Sequence, residues 1–154
     1  MATDSSFLTK LYREFPARPV PDVCLVDALI ADNWGAQVAL DKTWTDWTDI
    51  PADQLDKAEI LLNYFEGEAL RYFLPAFIRQ AVVEMEGRNS GFSNAVASLA
   101  HYLGGWSLKD YRELGLTPGQ REVLDEFLAQ MATNPDLLET FNFHRPDTDA
   151  AQRR

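Results

Sequence analysis

Eight carboxylates lie between Asp41 and Glu68, opposed only by Lys42 and Lys57, so this window carries six of the ten net negative charges of the 154-residue chain. Asp41, Asp46, Asp49, Asp53, Asp56, Glu59, Glu66 and Glu68 share the stretch with Trp44, Trp47, Tyr64 and Phe65. A focused negative field interleaved with aromatic side chains suits the binding of a basic partner, because charge speeds encounter and buried aromatics anchor interfaces. The competing reading is a solvated helix face: acids near the start of a helix also complement its dipole. We take Trp44, Asp46, Trp47, Asp49, Asp53, Asp56 and Glu59 as the candidate partner-binding residues.

Other chemistry has little support. His101 and His144 are far apart in sequence, and Cys24 has no second thiol at ligand spacing, so no metal site is expected. The acids from Asp41 to Glu59 lack the regular spacing and central glycine of a calcium loop. No G-x-S-x-G elbow, no phosphate-binding glycine loop and no dinucleotide fingerprint occurs. Glu66/Glu68 and Glu84/Glu86 could in principle supply an acid and a base, but residues two apart point to different faces of a helix, and solvated helix ends explain them better. The expectation is a protein that is not an enzyme, without catalytic residues, cofactor or metal. A net charge of −10 argues against direct binding to nucleic acid.

These residues must be positioned by helices. Apolar residues recur at spacings of three and four, and alternation at a period of two is scarce, so the fold class expected is all-α: one compact domain of about six to eight helices. With 46% hydrophobic and 25% charged residues, the chain can bury one sizeable core. Asp4 or Ser5 can cap a first helix carrying Phe7, Leu8, Leu11, Tyr12 and Phe15, stopped by Pro16, Pro19 and Pro21. Val23 to Ile30 is a helical or buried run, followed by a loop around Asn33-Trp34-Gly35. Val38 to Asp49 is an irregular tryptophan-containing segment, a turn or short strand. Pro51 then suits a first helical position, with Leu55, Ala58, Leu62 and Phe65 on one face.

The strongest periodicity runs through Leu70, Phe73, Leu74, Phe77, Ile78, Ala81 and Val82, the stripe of a central core helix. Pro75 removes an amide within it and predicts a kink or restart at Leu74-Pro75. Ser93 or Asn94 can cap a helix with Val96, Leu99, Ala100 and Leu103 inward, ended by Gly104-Gly105, and Ser107 to Asp110 has capping-box spacing. Thr117-Pro118-Gly119-Gln120 is a further helix start, combining a capping threonine, proline at the first position and glutamine at the third. Val123, Leu124, Phe127, Leu128 and Met131 form its buried face, and Asn134-Pro135 ends it. Leu137, Leu138 and Phe141 can pack a last turn. The domain is expected over residues 1–145, with a flexible polar tail over 146–154. The N-terminal residues lack a basic segment followed by an apolar run, and no stretch approaches the ~20 apolar residues of a membrane span, so a soluble, cytoplasmic protein with no membrane partner is expected.

Several of these segments also resemble a known family. Phe15-Pro16-Ala17-Arg18-Pro19 with Pro21, Tyr72-Phe73-Leu74-Pro75-Ala76-Phe77, Leu116-Thr117-Pro118-Gly119-Gln120-Arg121 followed by Phe127-Leu128, and Trp47 ahead of Leu55 together resemble an uncharacterised bacterial family known only as a domain of unknown function, over roughly residues 8 to 131. The resemblance implies a small cytoplasmic α-rich domain. Similar small acidic proteins act as immunity partners of secreted bacterial toxins, and no catalytic residue carries over. The functional expectation is therefore an acidic protein-binding module, concretely an immunity protein that neutralises a cognate basic toxin. The alternatives are a small enzyme or ligand-binding protein with an acidic and aromatic pocket, and a regulatory subunit whose acidic face serves solubility.

Overall fold

Phe7, Leu11 and Phe15 recur every four residues, and burying that stripe makes Ser5–Glu14 the first helix, α1, with the amide of Phe15 still bonded to the carbonyl of Leu11 at 3.0 Å. The structure, a computed structural model, describes residues 5–18, 46–57, 67–87, 92–104 and 115–135. Among the described residues there are five α-helices, a 3₁₀ turn at Trp47–Asp49 and no strand. The all-α expectation holds at that level. The expected elements over 23–35, 58–65, 107–114 and 137–141, and the tail over 146–154, lie outside the described residues, as do Cys24, Trp44, Glu59 and His144.

The irregular segment ends as the 3₁₀ turn rather than as a strand. Helix α2, Ala52–Lys57, follows it directly. Pro51 stands just before this helix, its carbonyl accepting from the amides of Gln54 and Leu55 at 3.1 Å each, one position earlier than its expected place as the first helical residue. Leu55 is fully buried.

Helix α3, Gly67–Gly87, runs through Pro75 without a restart. Of the kink or restart expected at Leu74-Pro75, the restart is thereby corrected. Proline costs a helix interior about 3 kcal/mol, but here Tyr72, Phe73, Leu74, Ala76, Phe77 and Ile78 are buried on both sides of it, and burying a side chain the size of Phe73, Leu74, Phe77 or Ile78 is worth about 1.5–3 kcal/mol each. Continuous packing outweighs the one lost amide bond.

Helix α4, Asn94–Gly104, starts from Ser93, whose carbonyl accepts from Ala97 and whose hydroxyl accepts from Val96 at 3.4 Å; Val96, Leu99, Ala100 and Leu103 point inward as expected. Two carboxylates from other helices complete its first turn. Glu84 of α3 accepts from the Ser93 amide, the Ser93 hydroxyl and Gln80, each at 2.7 Å, while Asp56 of α2 accepts from the Ala95 amide at 3.1 Å. The reading of Glu84 as a solvated helix end is thus corrected, for it clasps α4 to α3. Glu84→Ala removes the acceptor from all three donors and should cost about 1–3 kcal/mol in urea unfolding, with faster amide exchange at Ser93. An unchanged midpoint would remove the clasp.

Helix α5, Pro118–Thr133, carries the full capping box read from the sequence. The Thr117 hydroxyl accepts from the Gln120 amide and the Gln120 side chain accepts from the Thr117 amide, both at 3.1 Å. Gln120 has a second task that its spacing did not announce: its side-chain amide donates to the Glu14 carbonyl at 2.9 Å, tying α5 to the end of α1. Phe7 and Phe127 stack across the same interface, with centroids 6.3 Å apart. The Lys10–Glu126 ion pair above them spans 3.5 Å with both side chains about two-fifths exposed, so it adds little to the apolar contact. Gly115 precedes α5 with φ of +72°, a left-handed conformation that glycine adopts without strain.

The core is therefore one apolar cluster. Helix α3 lies against α4, α1, α2 and the 3₁₀ turn; α1 lies against α5, and α2 against α4. No helix among the described residues is long and apolar enough to cross a membrane.

Candidate functional site

Asp46 builds the turn that begins the acidic segment. Its carboxylate accepts from the Thr48 amide at 2.9 Å and from the Thr48 hydroxyl, which caps the 3₁₀ turn and leaves Asp46 half-buried. Trp47 then enters the core with no exposed surface. Its indole N–H donates to the Phe15 carbonyl at 3.3 Å, its ring stacks on Tyr12 at 5.4 Å and 10°, and the guanidinium of Arg79 lies 5.8 Å from its centroid. Arg79 also donates to the carbonyls of Thr48 and Ile50, the latter at 2.8 Å. One arginine from α3 thus holds both sides of the turn.

Tyr72 supplies the remaining tie. Its hydroxyl accepts from the Trp47 amide at 3.0 Å and donates to the Ala17 carbonyl at 2.7 Å, joining the turn to the segment after α1. Burial pushes the Tyr72 phenol above its usual value of 10.0, with Asp46 adding to the rise while the Trp47 amide and Arg18 oppose it. A phenol whose pKa is raised by folding stabilises the fold fully below the unfolded-state value and loses that contribution as pH climbs through the folded-state value. Tyr72→Phe should therefore be less stable than wild type at neutral pH by about 1–3 kcal/mol, because two backbone groups lose their partner, and the gap should narrow above pH 10. Urea unfolding of both proteins across that range measures it; a gap that stays constant refutes the assignment.

The sequence-predicted residues consequently separate. Asp49 and Asp53 are exposed, at the end of the 3₁₀ turn and in the first turn of α2. Asp46 and Asp56 are half-buried and spend their carboxylates on Thr48 and on the start of α4, which corrects the expectation that Asp46, Asp49, Asp53 and Asp56 are all exposed. Trp47 is a core residue in this chain. The exposed aromatic beside it is Tyr12, 44% exposed, which lies on α1 off the buried stripe of Phe7, Leu11 and Phe15 and meets Trp47 across 35 residues of chain. His101 is exposed. Among the described residues no cluster of three or more His, Cys, Asp or Glu side chains could hold a metal ion.

The model of one protein family, described as a family of unknown function (DUF6714), matches residues 4–145. The chain belongs to that family. No curated protein and no solved structure matches it. The match reaches beyond the 8–131 span of the motifs and takes in all five described helices. Phe15, Ala17, Trp47 and Tyr72, which carry part of the resemblance, meet in the bonds around the 3₁₀ turn, while Thr117 and Gln120 form the α5 cap. In this member of DUF6714, those motif residues make scaffold contacts.

Proposed function

We propose that this DUF6714 protein is a binding module for a basic protein, and in its most concrete form an immunity protein that neutralises a cognate basic toxin. The observation that supports the reading is the presentation of Asp49 and Asp53: both are exposed, and the turn leading to them is held by Arg79, Tyr72 and the buried Trp47. Charges on a clamped backbone need little ordering when a partner arrives. A chain with a net charge of −10 also attracts basic partners from a distance. Binding would be the whole activity, with no bond made or broken.

The test begins with a tagged copy of the chain used to capture partners from cells that carry its gene. Association of a captured basic protein is then timed with wild type and with the Asp49→Lys/Asp53→Lys double variant over a salt series. Association should slow about tenfold at low salt and converge with wild type near 1 M, where the screening length is about 3 Å. Helical circular dichroism should be nearly unchanged, since both side chains are exposed and reversing Asp53 costs the start of α2 only about 0.3–1 kcal/mol. Equal rates at every salt concentration would remove this surface from the reading. The immunity form makes its own demand: the partner should arrest growth when expressed alone and lose that effect when co-expressed with this chain.

A further inference from the structure

We draw no further inference here: the strongest candidate, the solvent-facing side of Tyr12 on α1 where it stacks over Trp47, carries nothing because basic Arg13 adjoins it in the helix while Asp46 and Asp49 flank the tryptophan beneath, so charge selects no partner and nothing in the structure shows what covers it.

Discussion

Trp47→Ala should lower the unfolding free energy by about 3–5 kcal/mol, the usual cost of deleting a large buried aromatic side chain. The ring has no exposed surface, and with it go the stack on Tyr12, the contact with Arg79 and the bond to the Phe15 carbonyl. Against a typical total stability of about 5–15 kcal/mol, such a loss is a fifth of the total or more. Trp47→Phe keeps an aromatic ring but no indole N–H, so it should fall between wild type and the alanine variant. Urea unfolding followed by far-UV circular dichroism ranks the three. If alanine left the midpoint unmoved, the indole would not be packed as described. The result also guards the functional test, because a Trp47 variant that fails to bind a partner would report lost folding, whereas the Asp49/Asp53 reversal changes exposed side chains and, within the fold, the bond from Gln54 to Asp53.

The second large effect belongs to the central helix. Phe73→Ala and Phe77→Ala should each cost about 3–5 kcal/mol, since both side chains are fully buried on the stripe that faces the other helices. Phe73 also meets the Tyr72 ring edge-on, with centroids 4.9 Å apart, so its loss should disturb the hydroxyl that holds the turn. Phe77→Leu, which keeps most of the volume, should cost far less than Phe77→Ala. Thermal unfolding of the three variants decides it: unchanged transitions for both alanine variants would place the core elsewhere.

What the sequence disclosed was local. The stripe from Phe73 to Val82, the inward face of α4 and the Thr117 cap rest on residues three or four apart, and the periodicity that reveals them is the cause of their packing. Pro75 does not restart the helix, because its cost is local while the burial that outweighs it is contributed by other helices. Trp47 reads as a candidate partner-binding residue on the evidence of its acidic neighbours. Its actual partners, Phe15, Tyr72 and Arg79, lie 25 or more residues away, and no spacing rule connects them. Asp56 is similar: its bond to the Ala95 amide spans 39 residues and turns an apparent surface acid into part of another helix's start. The candidate surface therefore shrinks, among the described residues, to the exposed Asp49 and Asp53.

The bond between Gln120 and Glu14 joins residues 106 positions apart, and the helices on either side of it form one of the main interfaces of the molecule. At synthesis rates of about 5–20 residues per second, α1 waits roughly 5–20 s on the ribosome before its partner helix has been made. Through that interval Phe7, Leu11 and Phe15 have no α5 to cover them, so the nascent chain presents an amphipathic segment to whatever chaperone is nearby. Docking of α1 on α5 is thus a late event in biogenesis, and the period of greatest exposure to aggregation ends only when residues 118–133 emerge.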